Sequence, residues 1–392
     1  MQIGGSDLVS GVALVIAIAM AISICLARFG FFKSVLQREI SSSRFHAIDG
    51  LRGYLALGVL VHHVVINEQF YRTGSWDLTP SRLNTFLGRG SVAFFFMITA
   101  FLFWGRVIES GGGMDTLKFY ASRVRRLVPM YLASAGFVIA TAAALTHFRL
   151  SVPLADLAGQ IASWLFFTIP GAPDINGLKQ TGLINTVFWS LVYEWKFYLV
   201  LPFAAALAAG GRTWVVATGA GLCIALFSPT QIEWFFVGGC AAAHLVRVRA
   251  VRELAAGLTG SVVALGCIAA TALYQANTYT PLGAALLFAP FVIFAAGNSL
   301  FGLLTCRPAR LLGLLSYSVY LLHNWVLYLA SRLVNHYTPV ADLSPAHYWA
   351  LAAAVATVTV MCSAFTYRFI EYPYIGGIRK AIPRRSWRPA RR

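Results

Sequence analysis

The chain has 392 residues, of which 58% are hydrophobic and only 11% charged, against about 25% charged in an ordinary soluble domain. Such a composition cannot clothe a soluble globule of this size, and 28 Phe, 16 Tyr and 10 Trp exclude a disordered chain. Six cysteines without a CxxC pair exclude a disulfide scaffold or a cysteine-based zinc module, and the net charge of +17 must be tested as a topology signal before nucleic acid is invoked.

A spanning helix needs about 20 mostly apolar residues. On that scale the sequence reads, in chain order, as spans near 8–27, 48–68, 88–107, 128–148, 186–207, 213–229, 231–246, 255–275, 281–302, 310–331 and 347–370, eleven in all. The weaker stretch 155–170 ends in Pro170-Gly171-Ala172-Pro173 and reads as a re-entrant or interfacial helix. The expected fold class is therefore all-α, a polytopic membrane bundle. With the basic tail in the cytoplasm, 23 of the 31 basic residues fall inside and six outside, while Arg52 and Lys196 lie in spans. That bias obeys the positive-inside rule. It predicts an outside N-terminus and a cytoplasmic C-terminus, and it leaves no charge for nucleic acid to explain. No basic residue precedes Arg28, so the first span lacks the leading charge of a signal peptide and reads as a retained helix.

Charged groups inside spans cost a few kcal/mol each and are functional candidates by default. In 48–68, IDGLRGYLALGVLVHHVVINE, Arg52 and His63 are 11 residues apart. They share a face, separated by roughly 16 Å along the axis. His62 points elsewhere and reads as structural. The cytoplasmic mouth of the fourth span carries Arg123 and Arg126, spaced by three ahead of Pro129, a pair of guanidiniums suited to phosphate. In 186–207, Ser190 and Glu194 follow Trp189 at i,i+4, and a carboxylate at that depth needs a partner on another helix. In 310–331, Ser316, Tyr320 and His323 form one stripe. The helical rise places His323 about 20 Å, and His63 about 22 Å, from their inner ends, with Glu194 expected at a similar or somewhat deeper level. Glu371, in RFIEYP at the inner end of the last span, is placed to pair with an arginine. The bland alternatives are a packing role for His63, a structural ion pair for Glu194 and pure topology for the arginines. There is no Walker loop, HExxH, GxSxG or paired Cys/His spacing, so no metal is expected.

Six stretches in order, IDGLRGYLALGVLVHH, FFFMITAFLF, RVRRLVPMYL, WSLVYEWKFYLVLP, LGLLSYSVYLLH and FIEYP, together resemble the acyltransferase-3 family of membrane acyltransferases. The resemblance divides the chain into an extra N-terminal span and linker (1–43), a ten-span acyltransferase domain (44–375) and a basic tail (376–392). It implies transfer of acetyl from cytoplasmic acetyl-CoA to a hydroxyl of a carbohydrate or lipid-linked sugar, of the O-antigen (lipopolysaccharide) or exopolysaccharide type. It also implies a bacterial inner membrane and polysaccharide-assembly partners.

The family's arginine, ten residues and histidine fall on Arg52 and His63, its arginine pair on Arg123 and Arg126, and its Trp-Ser-Leu and glutamate element on Trp189, Ser190 and Glu194. One departure is Thr99-Ala100-Phe101 in place of Ser-Gly-Phe, where the extra methyl narrows close helix packing. On this reading Arg52, Arg123 and Arg126 hold the donor's phosphates and His63, oriented by Glu194, is the general base. Trp189, Ser190, Tyr320, His323 and Glu371 contact substrate or support the site. The alternative is a transporter or flippase for a lipid-linked sugar, with the same buried groups as a proton relay. A structural partner of a polysaccharide machine would leave the polar stripes unexplained.

Overall fold

The computed structural model describes residues 5–40 and 45–375. Arg44, the linker residues around it and the basic tail 376–392 lie outside the described residues. The chain runs through α1 (Gly5–Leu26), α2 (Gly30–Ile40) and α3 (His46–Thr73). Then α4 (Arg82–Thr85) passes through a π-turn (Phe86–Gly90) into α5 (Ser91–Glu109). Next come α6 (Thr116–Leu145), α7 (Leu154–Leu165), α8 (Trp189–Ala208), α9 (Thr213–Phe227), α10 (Trp234–Leu245), α11 (Arg249–Ala255), α12 (Gly257–Tyr274) and α13 (Pro281–Ala295). The last two long helices are α14 (Arg307–Tyr337) and α15 (Pro345–Thr366), which ends in a second π-turn (Tyr367–Glu371). No β-strand occurs among the described residues.

Each of the eleven expected spans falls on a helix, but the helices differ in how they could meet a bilayer. Among the described residues six are long and apolar enough to cross one, counting α4 and α5 together, and a seventh is reached if α10 and α11, bent by 106°, form one span. With 28 and 31 residues, α3 and α14 have the length but are too polar to qualify, because they carry the candidate site. Only 15 residues long, α9 and α13 are apolar but short, and α7 has 12.

The polar pair forms the axis of the bundle. Both α3 and α14 are buried around most of their circumference, as expected of helices enclosed by protein. Their backbones touch: a Cβ on Gly313 would lie 1.7 Å from the Asp49 carbonyl oxygen, and one on Gly53 2.7 Å from the Leu312 Cβ. Small residues at a crossing are what permit this approach. Helix α1 lays Leu8, Gly11, Val15 and Ala19 inward, with Gly11 against the Trp349 indole of α15. A Cβ on Gly239 of α10 would fall 2.7 Å from the Ala100 Cβ, so the methyl of Thr99-Ala100-Phe101 is accommodated by a glycine on the facing helix. Leu199, Phe203, Trp214, Leu222, Leu226 and Leu258 face outward. That apolar exterior suits lipid and not water, and the chain is an integral membrane protein.

The segment between α6 and α8 folds back compactly. Asn176 Nδ2 donates to Thr146 Oγ1 at 2.9 Å and to the Arg149 carbonyl at 2.7 Å, while its Oδ1 accepts from the Ser151 N–H at 2.8 Å. The Tyr131 hydroxyl donates to the Trp164 carbonyl at 2.6 Å. At the end of this segment Asn185 Nδ2 donates to the Leu321 carbonyl at 2.8 Å, which brings Thr186 beside α14.

Candidate active site

On α14, His323 is fully buried and its Nδ1 lies 3.1 Å from the carbonyl of Val319. A carbonyl only accepts, so this nitrogen carries the ring proton. In the neutral ring Nε2 is then an acceptor. His63 Nδ1 on α3 lies 2.8 Å from that Nε2 and must therefore be the donor. The remaining nitrogen of His63, Nε2, is left with its lone pair, and Thr186 Oγ1 lies 3.4 Å from it. The imidazoles lie edge to edge across this bond, with centroids 5.1 Å apart and planes 9° from parallel.

Beside His63 opens a cavity of about 650 Å³, whose walls include Trp76, Arg89, Trp189, Tyr193, Tyr279 and Tyr320. Ser190 Oγ donates to the Val187 carbonyl at 3.0 Å and accepts from the Tyr320 hydroxyl at 2.7 Å. This bond ties α8 to α14 one turn from His323. The neighbouring His62 has another duty: its Nδ1–H donates to the Asn84 carbonyl at 2.8 Å.

A second polar layer lies deeper in the bundle. Arg126 Nη1 donates to Glu371 Oε2 at 2.8 Å, the other carboxylate oxygen accepts from Ser318, and Thr366 donates to Ser318 at 2.9 Å. Although three residues apart on α6, Arg123 and Arg126 turn to different neighbours. Arg123 lies 4.5 Å over the Phe103 ring and 5.9 Å over that of Tyr198, whereas Arg126 lies 5.7 Å over Tyr317. Arg123 Nη2 donates to Ser122 at 2.8 Å, and its buried Nε has no hydrogen-bond partner. Arg52 is within electrostatic reach of Arg126, Asp49, Glu194 and Glu371.

The expected pairing of Glu194 with His63 is not what the structure contains. Glu194 accepts from the hydroxyl of Tyr198, one turn along its own helix, and lies within reach of Arg123, Arg52 and Arg126. The reason is depth. Ser190 meets Tyr320, and the further turn to Glu194 on one helix and the turn back from His323 on the other add up to about 10 Å. Glu194 thus belongs to the arginine layer, and His323 occupies the orienting position beside His63. Trp189 borders the cavity and is 40% exposed.

Thr186, Trp76, Arg89, Asn277 and Tyr279 also border the cavity and were not singled out from the sequence. All five lie in loops or in the π-turn, where no periodicity marks them.

The acyltransferase-3 family model, described as an acyltransferase domain, matches residues 45–368. The chain is 25% identical over 371 residues to YrhL of Bacillus subtilis, named as a peptidoglycan O-acetyltransferase, covering 83% of this chain and 54% of that protein. It is 27% identical over 268 residues to the exopolysaccharide production protein ExoZ of Rhizobium meliloti, covering 63% of this chain and 78% of that one. The chain thus spans about half the length of the first relative. No solved structure matches it.

Proposed function

The chain belongs to the acyltransferase-3 family, and we propose that it is a membrane O-acetyltransferase moving acetyl from cytoplasmic acetyl-CoA to a hydroxyl of a cell-surface or lipid-linked carbohydrate. The observation that carries this reading is the chain of hydrogen bonds from Val319 through His323 to His63, which leaves an unprotonated imidazole nitrogen beside the cavity.

His63 Nε2 takes the proton of an acceptor hydroxyl, whose oxygen attacks the thioester carbonyl carbon. The C–S bond breaks, and the departing thiolate recovers the proton from His63. During the step His63 becomes an imidazolium, and its Nδ1–H keeps donating to the neutral His323. No carboxylate is needed to orient the base. Such assistance is worth roughly 10²–10⁴ in rate, and holding donor and acceptor in one cavity supplies further acceleration by proximity.

The arginine layer fits the polyanionic end of the donor. Arg123 has a buried Nε without a partner, and the guanidiniums of Arg123 and Arg52 have no carboxylate bonded to them among the described residues. Charge-assisted donors of this kind hold phosphate well. Glu371 already engages Arg126, so Arg52 and Arg123 carry more of that binding. The arginine end then faces the cytoplasm of a bacterial inner membrane and the histidine cavity opens to the other side, with the N-terminus outside and the C-terminus inside. The relatives' names, which speak of peptidoglycan and of exopolysaccharide, support a glycan acceptor, handed over or collected by polysaccharide-assembly partners. Purified protein incubated with acetyl-CoA and a glycan tests this. Free CoA together with an acetyl ester supports the reading, whereas a carrier for lipid-linked sugar gives neither.

A further inference from the structure

We propose that Arg89 is an acceptor-binding residue that recognises an oxyanion on the glycan, so that the chain acylates a carboxylated or phosphorylated saccharide in preference to a neutral one. The inference rests on the acetyltransferase reading above and extends it to the class of acceptor.

Arg89 sits in the π-turn Phe86–Gly90, a departure from regular helix of the kind often found at functional sites. The turn is seated on His62. The His62 ring donates to the Asn84 carbonyl, and a Cβ on Gly88 would fall 2.3 Å from that ring. Only glycine admits the imidazole there, so His62 supports the turn while its neighbour His63 faces the cavity. The turn presents Arg89 to the same cavity that His63 borders.

The side chain is held by neutral partners. Its guanidinium lies 5.2 Å over the ring of Tyr279, and Nη1 donates to Asn277 Oδ1. Arg89 makes no ion pair among the described residues. Asp77, which borders the same cavity, is not bonded to it. A guanidinium held by an amide and an aromatic face has no counter-charge bonded to it and leaves most of its donor fork for a ligand, and that fork matches a carboxylate or phosphate. The Tyr279 hydroxyl is buried without a hydrogen-bond partner and offers a further donor. Trp76 and Trp189 supply flat apolar walls, and a mostly apolar cleft with a few convergent polar groups is the usual form of a small-molecule site.

The test uses the full-length purified protein, acetyl-CoA and three acceptors matched in length: a neutral oligosaccharide, a uronic-acid oligosaccharide and a phosphorylated one. The quantity read is the ratio of kcat/KM for each anionic acceptor to that for the neutral one, which does not depend on how much of a variant folds. The wild type should favour one anionic arm, and that arm identifies the oxyanion. Arg89→Ala should lower the ratio at least tenfold, Arg89→Lys less, and Asn277→Ala should lower it by loosening the guanidinium. Arg82→Ala, an exposed arginine on α4 bonded to the Leu273 carbonyl, should keep it. Equal ratios in wild type and Arg89→Ala, or a wild-type preference for the neutral acceptor, overturn the proposal while leaving acetyl transfer intact. Absence of CoA release with every acceptor overturns the acetyltransferase reading and this inference with it.

Discussion

His63 and His323, 260 positions apart in sequence, face each other Nδ1 to Nε2 at 2.8 Å, and the direction of that bond is set from the far side, where His323 gives its only proton to Val319. A base oriented by a neutral imidazole predicts a graded pattern of losses. His63→Ala should lower kcat by at least about a hundredfold while acetyl-CoA still binds, because Arg52 lies roughly 16 Å along the helix. His323→Ala should lower kcat less, and His323→Gln, whose amide oxygen can accept from His63, should recover part of it. Steady-state kinetics with donor binding on the same variants reads both quantities. Near-full activity in His63→Gln would instead make this a packing histidine.

Arg123 and Arg125 separate a binding role from a topological one. Both are cations on the same turn of α6, but Arg125 is exposed and Arg123 turns toward Phe103 and Tyr198. Arg123→Ala should weaken acetyl-CoA binding by about 1.5–3 kcal/mol, the worth of a hydrogen bond to a charged group. Arg125→Ala should not. Isothermal titration with CoA distinguishes them, and equal effects would reduce the cluster to membrane topology.

Arg126 and Glu371 should behave as one unit in stability. Removing one member of a buried pair strands the other, at about 3–5 kcal/mol, so Arg126→Met and Glu371→Gln should each lower the melting temperature in detergent. Combined in one chain, they should cost much less than their sum. Additive losses would show that the two side chains are not coupled.

At Gly313 the backbones of α3 and α14 touch, and a methyl there would collide with the Asp49 carbonyl. Gly313→Ala should force the helices apart and cost about 1–3 kcal/mol, the usual range for overpacking. Because His63 and His323 sit on those same two helices, acyl transfer should fall together with thermal stability. A variant that loses neither would show that the two helices are not in contact there.

The charge pattern predicts a cytoplasmic C-terminus. A fusion after Arg392 to a reporter that is active only in the cytoplasm should be active, and the same reporter at the N-terminus should be silent. Activity of a periplasm-only reporter at the C-terminus would reverse the direction of donor entry proposed above.

Runs of about 20 mostly apolar residues locate α3 and α14 in the sequence even though the polar side chains of the site keep both below the apolarity of the other spans. Helical rise alone put His63 and His323 in one layer, because both depths are counted along single unbroken helices. Glu194 was misplaced for the complementary reason. Its depth relative to the two histidines depends on the offset between α8 and α14, which the Ser190–Tyr320 contact sets across two separate helices. Which side chain an ionised group meets on another helix depends on rotation and offset between helices, and neither is written in one strand of sequence. Arg89 is not legible as a site residue in the sequence because a π-turn breaks the 3.6-residue pattern by which faces are read.

At Tyr367–Glu371 the backbone closes over five residues where an α-helix closes over four. Glu371 reaches Arg126 and Ser318 from the end of that wider turn. Each residue of a regular helix advances the chain by 100°, so deleting one residue here would swing the carboxylate about that far from its partners without altering its identity. Exposed positions such as Phe369 are then free to drift in type, while the spacing between Thr366 and Glu371 is not free to drift in length. Lineages of this family that shorten the segment should be those that have also lost the arginine facing it.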